Sequence, residues 1–306
     1  MCKVETSATT TSQCVAAAPQ PTPIKQASCF KVFFIMLHNA GSMEKNKTLI
    51  LCADDFGANP AANAAILALA QCGRLSAASC LVDGPTFDRD VSLLHATQLQ
   101  TGLHLNFTDD FGQPDSVMPI NQLVLAAYLR RLKVSVVQTA VARQLDRFES
   151  LMGRAPDYID GHLHVHQLPI IRDALLAEMT KRYGHMSTQP WLRNTRFRKA
   201  SGLPTALALK ARTIQALGSA KLVRLAAAKH FTTNAGFLGV YGFTGGESAY
   251  SKYMQAWLGA VQDGDVLMCH PECGDEARDA QRCAEYHVLS SGDFAAWLDA
   301  NSIRLG

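Results

Sequence analysis

The chain has 306 residues, 48% of them hydrophobic and 18% charged, with a formal net charge of +3. That much apolar material supports a substantial core and excludes a chain dominated by disorder. The near balance of charge leaves no global basic field, so no nucleic-acid partner is expected.

Residues 1–46 are rich in Ser, Thr, Ala, Gln and Pro with no sustained period, which predicts a flexible N-terminal extension. Its apolar stretch Cys29–Leu37 is too short to span a bilayer, so no stable membrane insertion is expected. It is also poorly formed as a signal peptide. Residues 47–306 are expected to form a single domain. The nine cysteines are odd in number and irregularly spaced, and Cys52, Cys80 and Cys269 fall inside apolar runs. Reduced thiols in a cytoplasmic enzyme are the simplest reading, with these three acting as small hydrophobes. Base rates for soluble proteins make a homodimer the default expectation.

From Thr48 onward strands and helices alternate. A strand over Thr48–Cys52 leads into Asp54-Asp55 and then a helix over Pro60–Cys72, with Asn59 as N-cap and Pro60 at the first helical position. Leu75–Val82 reads as a second strand, followed by a helix to about Thr97. Thr101–Phe107 reads as a third, alternating Leu103, Leu105 and Phe107 against Gly102, His104 and Asn106. Two helical stretches follow, Asn121–Leu132 and Ser135–Met152. Tyr158–Gly161 is a short strand running into the histidine-rich His162–Pro169, with a helix over Ile170–Tyr183 beyond it. Helical segments fill roughly 205–230, and Phe237–Gly246 reads as a mobile loop. Asp265–Cys269 is a late buried strand, and Asp293–Ala300 the last helix. Such alternation predicts an α/β fold with largely parallel strands, a distorted, TIM-barrel-like (β/α) barrel.

In α/β folds the carboxyl ends of strands are where sites are built. Four of these ends carry one kind of chemistry: Asp54 and Asp55; His104; Asp160, His162, His164 and His166; and His270. Paired carboxylates are costly unless a cation or proton compensates them. Imidazole plus carboxylate is the ligand set of Zn²⁺ and similar divalent ions. Residues i and i+2 on a strand lie about 6.6 Å apart on one face, so two of the three alternating histidines can reach one ion. Each element also has an ordinary explanation: Asp54 or Asp55 as a helix cap, His104 as a half-buried core histidine, His270-Pro271 as a strand end.

The segments around Asp54-Asp55-Phe56-Gly57, Gly102–Phe107, Tyr158–Pro169 and Met268–Glu272, in that order, resemble the YdjC-like carbohydrate deacetylases, a family that includes chitooligosaccharide deacetylases and hopanoid-biosynthesis relatives. The resemblance covers about 48–306. It implies a distorted (β/α) barrel, one divalent metal ion (Mg²⁺ or Zn²⁺) and a carbohydrate substrate. By the family's pattern Asp55, His104 and His162 hold the metal and Asp54 is the general base. Relatives often carry Ser and His where this chain has Gly161 and Leu163.

Amide hydrolysis needs an activated water, charge stabilisation on the carbonyl oxygen and a proton for the leaving amine. His270 is the first choice for acid or oxyanion partner, with His164 or His166 as its rivals. Asp160 is expected to orient an imidazole. Arg193 and Arg196 face either substrate hydroxyls or a neighbouring acid, or simply solvent. Tyr241 or Phe243 stacks on a sugar ring or packs in the core. The expected function is removal of acetyl from an N-acetylated amino sugar. Its rivals are a metal phosphoesterase or amidohydrolase, and a non-catalytic metal- and sugar-binding protein, against which the extra carboxylate Asp54 speaks.

Overall fold

The computed structural model describes residues 46–306 except Asp275, Glu276 and Arg278. The rest of the expected extension, with Cys29–Leu37, lies outside the described residues. Residues 45–306 make one unit by their internal packing.

The strands are β1 (Lys47–Phe56), β2 (Ala77–Cys80), β3 (Gln100–Leu105), β4 (Tyr158–Gly161), β5 (Trp191–Leu192), β6 (Phe237–Leu238), β7 (Asp265–Cys269) and β8 (Ile303–Leu305). The helices are α1 (Pro60–Gln71), α2 (Phe87–His95), α3 (Ile120–Tyr128), α4 (Val134–Met152) and α5 (Ile171–Tyr183), then α6 (Thr205–Ala216), α7 (Ser219–Ala227), α8 (Gly246–Ala260), α9 (Ala280–Ser290) and α10 (Gly292–Ala300). The strands lie in the order β5-β4-β3-β2-β1-β7-β6, with β8 beside the start of β1, and every pairing is parallel. Leu192 bridges to Thr233 and Phe197 to Phe237, which links the β5 end of the sheet to the β6 end. The result is a distorted (β/α) barrel with β1 at its centre, flanked two strands away by β3 on one side and β6 on the other.

Local chemistry explains the main elements. The central strand is buried on both faces, as parallel strands covered by helices are, and Leu49, Leu51 and Ala53 contribute to the core. Each such aliphatic residue contributes about 1.5–3 kcal/mol when taken from water. Helix α1 starts where Asn59 Oδ1 accepts the Ala62 N–H at 2.9 Å and Pro60 takes the first turn. Helix α4 ends at Gly153, whose φ of 67° suits a left-handed cap. Helix α9 is capped by Asp279, which accepts from the Gln281 and Arg282 N–H groups.

Three expectations need correction. The first strand does not stop at Cys52 but runs on to Phe56, carrying both aspartates within it. The histidine-rich segment is not an extended strand: β4 ends at Gly161 and His162–Gln167 forms 3-10 turns with Leu163 and His164 in left-handed backbone, φ 49° and 60°. Residues 237–246 are not all loop, since Phe237–Leu238 is β6 and α8 begins at Gly246. The short strands β5, β6 and β8, and helices α8 and α9, carry too few residues or too weak a period to be read from sequence alone.

Candidate metal and catalytic centre

Alternation along a strand would send Asp54 and Asp55 to opposite faces. The register between β1 and β2 prevents this: Ala53 pairs with Ala78 and Phe56 with Cys80, a step of three residues against two. This is a β-bulge, and Asp55 sits in it at φ 73°. Aspartate tolerates this left-handed backbone better than most residues, at a cost of about 1–2 kcal/mol. Both carboxylates are therefore buried at the same end of the barrel, facing different partners.

Asp55 faces imidazoles. Its Oδ1 lies 3.6 Å from His104 Nε2 and 3.1 Å from His162 Nδ1. One donor atom from each of Asp55, His104 and His162 falls within 4.8 Å of the other two. His104 is fixed from behind, because its Nδ1 donates to Asp160 Oδ1 at 2.6 Å, which leaves Nε2 aimed at Asp55. Asp109 Oδ2 stands 3.5 Å from the other nitrogen of His162. Carboxylates behind imidazoles are the usual support of a metal site. Burial opposes ionisation of Asp55, but His162, His270 and His104 outweigh it and hold the carboxyl well below its usual range. Burial also opposes a charge on His104, yet Asp160 and Asp54 raise it to about 9. Three negative or lone-pair donors gathered without a cation, in so little water, fit a divalent ion with open positions.

Asp54 faces a different partner. Arg193 is fully buried, and its Nη1 and Nη2 donate to Asp54 Oδ2 and Oδ1, each at 2.7 Å. Nη2 also lies 2.7 Å from Asp160 Oδ2, 2.9 Å from Cys52 Sγ and 3.1 Å from Ser79 Oγ. Ser79 Oγ donates to Asp160 Oδ2 at 2.7 Å, and the Tyr158 hydroxyl lies 2.9 Å from both Ser79 Oγ and Cys52 Sγ. Gly102 leaves room for this tyrosine, since a Cβ there would stand 2.3 Å from the Tyr158 ring. Burial raises the Asp54 pKa, but Arg193, with His104 and His270, lowers it further and keeps the group ionised throughout the neutral range. Cys52, Asp54 and Asp160 cluster closely enough to suggest a second ion, but the Arg193 guanidinium fills that position. Cys52 is thus not a plain small hydrophobe, although burial, with Asp54 and Asp160, outweighs Arg193 and pushes its thiol up to about 12.

His270 follows β7, with its Nε2 3.8 Å from Asp54 Oδ2. Burial lowers its pKa to about 4 against the pull of Asp55 and Asp54, so the ring is neutral at pH 7. Its backbone N–H donates to Glu285 Oε2 at 2.6 Å. Glu285 is wholly buried and also accepts from the Tyr241 and Tyr250 hydroxyls. Burial raises it to about 7 despite these donors. One turn earlier on α9, Arg282 Nη1 donates to Asp55 Oδ2 at 3.0 Å and lies 3.6 Å from Glu272 Oε1. Helix α9 thus braces both Asp55 and the His270 loop.

The centre opens into a cleft of about 1420 Å³ that reaches Asp55 and His162. Asn59, Asp109, Phe111, Phe243, Glu272, Asp279 and Arg282 also line it. Arg193 is not among its lining, and neither substrate hydroxyls nor solvent reach it. Arg196 is exposed, apart from the cluster. Tyr241 is buried at 2% exposure in an aromatic group with Phe243, Tyr250 and Trp257, so it is no platform for a sugar; Phe243 is the aromatic of that pair that lines the cleft. His164 packs edge-on against Phe237, and His166 is fully buried with Nε2 bonded to the Arg193 carbonyl at 2.7 Å. The 3-10 turn separates both from His162's direction, and neither joins the metal-binding donor set. Sequence reasoning missed Asp109, Arg282, Glu285 and Phe111. Asp109 had a signal, a carboxylate shortly after a strand end; the two α9 residues had none, because only the packing of α9 brings them to the centre.

The sequence model of the YdjC-like protein family matches residues 48–300. The chain belongs to that family. Among curated relatives of this YdjC-like chain, the carbohydrate deacetylase of Mus musculus is 26% identical over 298 residues, covering 84% of this chain and 92% of the relative. The chitooligosaccharide deacetylase of Klebsiella pneumoniae (strain 342) is 26% identical over 275 residues, covering 85% and 97%. Among solved structures, a proposed cellobiose-phosphate cleavage protein of Enterococcus faecalis V583 superimposes with a TM-score of 0.62 at 19% identity, over 86% of this chain and 97% of that one, which shows a shared fold.

Proposed function

We propose that this protein is a metal-dependent carbohydrate deacetylase, hydrolysing the acetamide of an N-acetylated amino sugar. The observation that carries the reading is the convergence of Asp55, His104 and His162 beside a second, separately held carboxylate, Asp54. The full-length relatives named for carbohydrate deacetylation support the substrate class.

A divalent cation, Mg²⁺ or Zn²⁺, held by Asp55 Oδ1, His104 Nε2 and His162 Nδ1 would polarise the acetamide carbonyl and lower the pKa of water to about 7. The protein's own groups do the rest. Asp160 fixes the His104 ring so that Nε2 faces inward. Arg193 holds Asp54 by both oxygens, which fixes its direction and keeps it ionised; each oxygen retains lone-pair capacity to orient a water and accept its proton. His270 Nε2, 3.8 Å from Asp54 Oδ2, is placed to pass a proton to the leaving amine. Glu285 holds the His270 backbone in that place.

The test is acetate release from N-acetylglucosamine and its oligomers, with metal analysis and chelation alongside. Metal-dependent release is expected. A protein that binds metal and sugar yet releases no acetate from any acetamido sugar refutes the reading and leaves a binding protein in its place.

A further inference from the structure

The charge and shape of the cleft restrict its substrate further, on the premise that the site handles amino sugars. Among the described residues that line it, Arg282 is the sole Lys or Arg, and it is enclosed by carboxylates: Asp55 Oδ2 at 3.0 Å, Glu272 Oε1 at 3.6 Å and Asp279 Oδ2 at 3.9 Å. Glu272 is held in turn by the Asn59 amide, which donates to its Oε1 at 3.1 Å. Asp109 adds a fourth carboxylate beside His162. Lys210 is near, but its ammonium is bound to the Tyr241 carbonyl at 2.6 Å and it does not line the cleft. A phosphate or uronate entering here would meet several carboxylates and no unengaged described cation, and like charges brought together in a partly dry cleft repel strongly.

The aromatic residues point the same way. Phe111 lies two residues after Asp109, which touches His162, and it is half-buried in the cleft lining. Phe243 lines the cleft from the β6 side, stacked on Tyr241 at 4.7 Å and edge-on to His270 at 5.0 Å. Because β3 and β6 lie on opposite sides of β1, these rings come from the two flanks of the centre. The cleft also exceeds the roughly 300–1,000 Å³ typical of a single small-ligand site.

We infer that the cleft takes an oligosaccharide of uncharged amino-sugar units, with Phe111 a platform for a ring beyond the one that loses acetyl, and that the carboxylates around Arg282 exclude phosphorylated and uronic sugars.

The experiment measures calorimetric Kd on metal-loaded Asp54→Asn protein, in which chemistry is stopped, for N-acetylglucosamine, its di- and trisaccharide, and the 6-phosphorylated disaccharide. The trisaccharide is expected to bind at least tenfold tighter than the monosaccharide, and the phosphorylated disaccharide at least tenfold more weakly than the neutral one. Adding Phe111→Ala should cut the trisaccharide-to-monosaccharide ratio about three- to tenfold, the range for one aromatic stacking contact. Adding Glu272→Gln and Asp279→Asn should narrow the penalty for phosphate. Equal or tighter binding of the phosphorylated sugar overturns the exclusion. A chain-length ratio unmoved by Phe111→Ala overturns the platform. Absence of acetate release by the wild type, with these affinities intact, would refute the deacetylase reading alone.

Discussion

Replacing Arg193 with methionine tests the architecture beneath the centre. Arg193 neutralises two carboxylates that are themselves buried, Asp54 and Asp160, through three contacts of 2.7 Å. Methionine fills comparable space but leaves both acids without their cation. Removing one partner of a buried ion pair costs about 3–5 kcal/mol, because the remaining charge is stranded. The sign of the pH dependence follows from Asp54. In the wild type its folded pKa is depressed, so its contribution to stability is present above the unfolded value of 3.8 and is lost as pH falls through the folded one. Without Arg193, burial, the largest influence on Asp54, pushes its folded pKa the other way. The variant's deficit should therefore be largest near pH 7–8 and shrink towards pH 4, where the carboxyl takes up a proton. Urea unfolding at a series of pH values measures it, with metal content and acetate release alongside. Metal should be retained, since Arg193 touches none of Asp55, His104 and His162, while turnover falls at least a hundredfold. Arg193→Lys should recover part of the stability and little turnover, because an ammonium cannot hold Asp54 by both oxygens. A variant of unchanged stability across this pH range, or with normal turnover, would show that Arg193 is not the support described.

Asp54→Asn should keep metal near one ion per chain while turnover drops at least a hundredfold, the usual share of a general base; loss of metal instead would exchange the roles of the two aspartates. His104→Ala or His162→Ala should abolish metal binding by elemental analysis, and wild-type stoichiometry in either would remove that residue from the donor set. Glu285→Gln should flatten part of the stability profile. The folded pKa of Glu285 is raised from 4.5 to about 7, so the stability tied to it is present below 4.5 and lost as pH rises towards 7. Relative to the wild type, the variant should gain up to about 3 kcal/mol between pH 4.5 and pH 8 by chemical denaturation. An unchanged difference at both ends of that range would mean that burial does not raise this carboxyl.

The parallel barrel was legible because its main strands and helices are long or strongly patterned: Asn59-Pro60 starts α1, and an apolar run marks β7. The groups with chemistry were legible because they sit in the same local place, at the carboxyl ends of β1, β3, β4 and β7. Their arrangement was not. Whether Asp54 and Asp55 diverge or share a centre depends on one extra residue in β1 relative to β2, a property of the pairing and not of either strand. Whether His164 and His166 join His162 depends on two left-handed residues that end the alternation an extended strand would impose. Arg193 as partner of Asp54, Arg282 of Asp55 and Glu285 of His270 are meetings across 139, 227 and 15 residues. Local sequence dictates periodicity and capping, because those act over a turn or a strand. Which charges meet is decided only when the barrel closes, because only packing sets those distances.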